Sequence, residues 1–156
     1  MSYDLGNPDA ETPANTEISS GSFWPTLSSS SFIEEYRIPA ELPESLILAH
    51  LKLAVVRVNG ALLRFKAEQL SAGKLSLAEL DSEEINGEKA KVLLYRRAVF
   101  CEAKAELLKE TQTVMRKPDA ENVAKTAEET EDKYREFAQV AIRLIAGSRR
   151  IEVELI

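Results

Sequence analysis

The stretch ESLILAHLKLAVVRVNGALLRFKAEQLSA, residues 44–72, decides the fold. Pro43 suits the first turn of a helix and Gly73 suits its stop. At 1.5 Å per residue the span predicts one helix about 40 Å long. Leu48, Leu51, Val55, Val58, Leu62 and Phe65 recur at alternating spacings of 3 and 4 and form one apolar stripe. Ala49, Leu53, Val56, Gly60, Leu63, Ala67 and Leu70 form a second. At 100° per residue the two lie on nearly opposite sides. Two polar stripes separate them: His50, Arg57 and Arg64, and Lys52, Asn59 and Lys66. A helix with two apolar faces must be covered twice. One cover is intramolecular. The second is either the rest of the same fold or a neighbouring subunit, which makes Ala49, Leu53, Val56, Gly60, Leu63 and Leu70 candidates for subunit or core packing.

Two more long helices follow. The first is expected to begin near Asn86 or Gly87, with Glu88 in the turn where the helix dipole favours an acid, and to end before Pro118. Its apolar stripe is Leu94, Ala98, Cys101, Ala105 and Leu108. The second is expected from about Asp119 to just before Gly147. Val123, Ala127, Thr130, Tyr134, Phe137, Ala141 and Leu144 give it a 4-3 seam suited to shallow packing in a bundle. Residues 74–85 read as a linker. A brief helix capped by Ser31 is expected before Pro39.

Both ends differ in character. Residues 1–22 are polar and acidic, too poor in apolar surface to offset their ordering entropy, and read as a flexible arm. Phe23-Trp24-Pro25 follows, either as an anchor for a partner or as a cap on the domain's own core. At the other end, Arg150–Ile156 changes to a period of two, with Ile151, Val153 and Leu155 alternating with Glu152 and Glu154. That is a strand pattern. A single strand in a helical chain either frays or adds to another chain's sheet, through Ile151, Val153, Leu155 and Ile156. The reading is an all-α helical bundle of three long helices and a short N-terminal one, with an arm (1–22), a body (23–147) and a strand-like tail (148–156).

Charge sharpens the picture. The 156 residues carry a net charge of −6. Residues 1–36 hold Asp4, Asp9, Glu11, Glu17, Glu34 and Glu35 and no Lys or Arg, so the whole imbalance sits there. A basic footprint for sequence-specific nucleic-acid binding is absent. The acidic segment either docks on a basic neighbour or is merely solvated. No apolar run of 18 residues suggests a membrane span. Residues 1–17 lack the basic and apolar regions of a signal peptide. A lone cysteine points to a reducing compartment.

Catalytic chemistry finds little to work with. His50 sits inside a helix with no acid three or four residues away, and reads as a surface histidine. Cys101 lies on an apolar stripe and reads as packing. One His and one Cys, far apart, do not make a zinc site. The six glycines form no phosphate loop. Glu102, Glu106 and Glu110 share a helix face and read as a solvated acidic row. The chain is therefore expected to be no enzyme and to need no cofactor.

Ile85, Gly87, Glu88, Lys91, Val92, Tyr95, Arg97, Ala98 and Val99 carry an I-x-G-E-x-x-K-V-x-x-Y-x-R-A-V pattern. It resembles a segment of the head completion, or head stabilisation, proteins of temperate contractile-tailed phages. The similarity continues upstream through Leu62, Phe65, Leu70, Ala72, Gly73, Leu77 and Ala78. It includes an aromatic-aromatic-Pro element at Phe23-Trp24-Pro25 and a short Arg-x-Ile/Val run that closes on Ile156. It covers roughly residues 23–156 and leaves out the arm. The resemblance implies a virion protein of the head-tail neck, assembled in the host cytoplasm. It implies a ring of about twelve copies below the portal, which stabilises the DNA-filled head and docks the tail. Its partners would be the portal protein, its own copies and the next neck or tail-terminator protein, with DNA passing through a passive channel. The contrasting reading of the residues is a soluble helical regulator or scaffold that binds one partner.

Overall fold

The computed structural model describes residues 14–114 and 121–147, with the side chains of 113–129 outside that description. The chain runs through β1 (Glu17–Ile18), β2 (Leu27–Ser28), α1 (Ser29–Glu35), α2 (Glu44–Ala61) and α3 (Leu63–Ser71). A 3₁₀ turn at Leu77–Glu79 leads to β3 (Glu84–Ile85), β4 (Glu88–Lys89), α4 (Ala90–Val114) and α5 (Glu121–Ala146). The protein is mostly helical. The expected strand tail at 148–156 and the first part of the arm, 1–13, lie outside the described residues.

From Ala14 onward the arm is part of the fold. Ile18 pairs with Leu27 in an antiparallel bridge and is buried. The cap of α1 is Ser28, not Ser31: the Ser28 hydroxyl accepts from the Ser31 amide. Among residues 74–85, Leu77 and Leu80 are buried, so the stretch is pinned to the body.

Asn86-Gly87 turns a hairpin and does not start a helix. Glu84 pairs with Lys89 and Ile85 with Glu88 across it. Both turn residues have positive φ, 51° and 80°, the requirement of a two-residue turn whose twist matches its strands. The helix that follows begins at Ala90, three or four residues later than the expected start at Gly87 or Asn86.

The long helix over 44–72 is two helices, α2 and α3, bent by 59° at Leu62. Gly60, in the last turn of α2, is a weak helix former, which makes this the easy place to bend. The bend keeps the inner stripe on the body: Leu51, Val55, Val58, Leu62 and Phe65 are all buried. Gly73, with φ 83°, closes α3, its amide donating to Leu70 O and that of Lys74 to Gln69 O.

Helix α4 is the axis of the fold, with α2 and α5 packed against it. Tyr95, Ala98, Val99, Phe100, Cys101, Ala103 and Ala105 are all fully buried. The 4-3 seam expected on α5 holds at Ala141 but not at Phe137 and Leu144. Ala138, Ala141 and Ile145 are the buried positions, whereas Phe137 and Leu144 are exposed. A 3.6-residue helix drifts from a strict 3.5 repeat, and the core selects the neighbouring row.

Candidate functional site

Three groups of residues decide what the surface can do: an aromatic cluster, an ion-pair seam, and the apolar side chains left outside. The aromatic cluster is internal. Phe23 and Trp24 are 3% and 4% exposed. The Trp24 ring stacks on Tyr95 at 4.8 Å, and Phe23 meets Trp24 edge-on at 4.7 Å. Phe23 and Trp24 therefore spend their surface on the core, which matches the core-cap alternative and not the arm contact with a neighbour; Pro25 is half-buried.

The motif residues tie elements together. Tyr95 donates its hydroxyl to Asn59 Oδ1 at 2.8 Å, and Asn59 Nδ2 donates to Ser20 Oγ at 3.1 Å. That chain joins α4, α2 and the N-terminal segment. Lys91 Nζ donates to the Ile145 carbonyl at 2.8 Å, near the C-terminal end of α5, and lies over the Phe65 ring. Burial holds the Lys91 ammonium below its usual pKa. Arg97 covers the ring of Phe137 at 4.8 Å. Glu88 receives Arg96 through two bonds, and Ile85 stands exposed beside the Gly87 turn.

A seam of charge runs where α2 and α5 meet α4. Arg57 Nη1 donates to Glu102 Oε1 at 2.9 Å and to Glu106 Oε1 at 2.7 Å. From α5, Arg135 Nη2 donates to the same Glu106 oxygen at 2.7 Å and to Glu131 at 2.9 Å. Farther along, His50 pairs with Glu110. The Arg135 bond, then that of Arg57, brings the Glu106 carboxyl down to about 2. The expected solvated acidic row is thus an inter-helix lock: the Glu102 side chain is 10% exposed and that of Glu106 19%. His50 is correspondingly held between helices and not free on the surface. No signal within one helix reveals this, because the partners come from three.

What remains outside is apolar. Of the second stripe, Leu53 is 52% exposed, Val56 67%, Leu63 66% and Leu70 44%, with Ala49 and Gly60 also exposed. The bend at Leu62 divides the stripe into an α2 part and an α3 part. Another row, which the sequence reading missed, comprises Phe137, Val140 and Leu144 on α5. Residues 137, 140 and 144 follow the 3-4 spacing of one helix face, so the signal was present but had been assigned inward. Ile151, Val153, Leu155 and Ile156 lie outside the described residues.

Reactive chemistry is sparse on the described surface. Cys101 is buried with its sulfur 3.6 Å from the Tyr36 hydroxyl, and burial pushes both groups' pKa values up. Among the described residues no group of three or more His, Cys, Asp or Glu could hold a metal ion, and no single helix is long and apolar enough to cross a membrane.

Comparison with known proteins places the chain in a family. Residues 18–156 match the family model described as phage head completion protein (GPL), which thus begins at β1. The chain is 30% identical over 142 residues to the probable head completion/stabilization protein of Haemophilus phage HP1, covering 91% of this chain and 93% of that one. It is 25% identical over 146 residues to the head completion/stabilization protein of Escherichia phage P2, covering 92% and 86%. No solved structure matches it. This helical body, with an internal charge seam and apolar side chains turned outward, matches head completion/stabilization proteins of two phages over nearly its whole length, and the chain belongs to the phage head completion protein family.

Proposed function

We propose that this protein completes the phage head as a ring-forming adaptor below the portal, where it stabilises the DNA-filled head and receives the tail. The observation that carries the reading is the outward stripe of α2 and α3, with Leu53, Val56 and Leu63 each more than half exposed. Contiguous apolar surface of this kind marks a protein contact. In the proposal, an adjacent copy covers that stripe. The two parts of the stripe point in different directions because of the 59° bend, which favours a contact between unlike surfaces over a straight two-helix seam. Contacts between unlike surfaces close into a ring when the rotation from copy to copy closes, and the proposal takes that closed form.

The tail residues Ile151, Val153, Leu155 and Ile156 are proposed to add a strand to the portal or to a neighbouring chain. The next neck or tail-terminator protein would bind the opposite side of the ring, and DNA would pass through it without sequence-specific contacts. The site in the virion would be the neck, reached by assembly in the host cytoplasm.

The test is the mass of the purified protein alone and mixed with its cognate portal, by light scattering after size exclusion. A heavy ring, or a shifted portal peak with near one-to-one stoichiometry, supports the adaptor. A monomer that ignores the portal overturns it in favour of a helical regulator with a single partner. Deleting residues 150–156 should leave helicity intact and abolish docking. A truncated protein that still completes heads would sink the strand-addition proposal.

A further inference from the structure

The exposed large apolar side chains among the described residues fall in three places. Leu53, Val56, Leu63 and Leu70 form the outward stripe of α2 and α3, Phe137, Val140 and Leu144 form the row on α5, and Leu75 and Ile85 stand in the segment before α4. Charge separates the three. From Ser45 to Ala67 there is no Asp or Glu, and exposed Lys52 and Arg64 stand next to Leu53 and Leu63. On α5, Arg97 covers the Phe137 ring, Lys133 continues the row one turn earlier, and Glu136 and Arg143 lie alongside. Residues 75–88 are the reverse: they hold Glu79, Asp81, Glu83, Glu84 and Glu88, all exposed, and no Lys or Arg.

The acidic segment does not cover the stripe of its own chain. The Ala90 amide donates to the Glu83 carbonyl at 2.8 Å and the Leu77 amide to the Phe23 carbonyl at 2.9 Å. Arg96 binds Glu88 through both terminal nitrogens. The β3–β4 hairpin is thus held at the N-terminal end of α4. Val56 stands far from that end: its neighbour Arg57 meets Glu102 and Glu106, and Glu102 is about 18 Å along α4 from Ala90. With the hairpin in place, Leu53 and Val56 are still 52% and 67% exposed, and Ile85, beside the turn, is 49% exposed. Both surfaces are therefore open for another copy. Stripe on stripe would set Lys52 and Arg64 against their own counterparts, and stripe on the α5 row would set them against Arg97 and Lys133. Like charges brought together across a contact cost free energy. Among the described residues, the hairpin is the exposed apolar site that offers the opposite charge.

We infer that the outward stripe of each copy receives the β3–β4 hairpin of the next, with Ile85 against Leu53 and Val56 and the acids of residues 79–84 towards Lys52 and Arg64. The inference rests on the adaptor reading and names the second half of the contact between copies. One surface lies at the end of α4 and the other on the flank of α2. The contact is therefore head-to-tail, the kind that repeats from copy to copy. Its charged part weakens with salt.

The test uses the full chain carrying Val56→Cys, Ile85→Cys or both, alone and mixed with the cognate portal, under mild oxidation and read on denaturing gels; Cys101 is buried. The double variant should give a ladder of covalent oligomers. A mixture of the two single variants should stop at dimers, and neither single variant alone should cross-link. Adding Lys52→Glu/Arg64→Glu to the double variant should abolish the ladder at unchanged helicity, and Asp81→Lys/Glu83→Lys in the same chain should restore it. A ladder untouched by the reversal overturns the charge pairing. Dimers from Val56→Cys alone overturn the inference in favour of stripe on stripe, and dimers from Val56→Cys mixed with Val140→Cys overturn it in favour of the α5 row. A ring seen by light scattering without cross-links between positions 56 and 85 overturns the inference and leaves the adaptor standing. Cross-links in a chain that ignores the portal keep the contact and overturn the adaptor. A chain that neither cross-links nor associates overturns both.

Discussion

Trp24 lies flat on Tyr95, with ring centroids 4.8 Å apart and planes 7° from parallel. The Tyr95 hydroxyl reaches Asn59, so the stacked pair joins the N-terminal segment, α2 and α4. The single tryptophan is therefore a core residue. Trp24→Ala is expected to cost about 3–5 kcal/mol, from lost burial and the cavity left behind. Trp24→Phe should cost less. Thermal unfolding followed by circular dichroism measures both. A Trp24→Ala protein as stable as the parent but deficient in portal binding would return Trp24 to the surface.

Acid should loosen the seam between helices. Arg135 and Arg57 hold Glu106 at about 2 against a usual 4.5. A depressed carboxylate stabilises the fold fully above 4.5, and the contribution is lost as pH falls from there towards 2. The expected loss is roughly 2 kcal/mol, since the Glu106 side chain is only partly shielded. Glu106→Gln should be destabilised at pH 7, because two guanidinium groups lose their shared partner. It should also lose much of the pH dependence between 4.5 and 2. Denaturant melts at a series of pH values decide this; a variant with the parent's slope rejects the assignment to Glu106.

The two stripes of α2 should respond in opposite ways. Leu51 is fully buried, and Leu51→Ala is expected to cost about 2–5 kcal/mol. Val56 is 67% exposed, and Val56→Asp should shift stability by no more than about 0.5 kcal/mol. Under the adaptor reading Val56→Asp nevertheless fails to complete heads. Melting curves and complementation of heads lacking this protein separate the two. Stable Val56→Asp protein with full complementation would remove the stripe from the docking surface.

At the hairpin, backbone alone sets the cost. Gly87 has a φ of 80°, and a Cβ placed there meets no atom within 4 Å. Gly87→Ala should therefore destabilise by about 1–2 kcal/mol through left-handed strain, whereas Asn86→Gly should be close to neutral. Chemical denaturation checks both, and a neutral Gly87→Ala would mean that the turn relaxes.

Residues 44–72 announced a helix with two apolar faces, and local periodicity was enough for that because side-chain direction repeats along one element. The same logic located α4 and α5 to within a few residues. It misplaced the start of α4, where Asn86-Gly87 is a hairpin signal that a helical reading overrode. It also took Phe137 and Leu144 inward, because a 4-3 count does not distinguish adjacent rows when both are apolar.

The amino-acid sequence by itself determined the helical class, the two stripes of residues 44–72, the concentration of acid before residue 37 and the family resemblance. Each is a matter of local spacing, composition or collinear order. Tertiary structure alone decided which stripe is inside, that the chain bends at Leu62, that Trp24 is core, and that Glu102 and Glu106 meet Arg57 and Arg135. Those outcomes depend on which surfaces come together. Apolar burial and the desolvation of charge are properties of pairs of elements, and no single helix carries them.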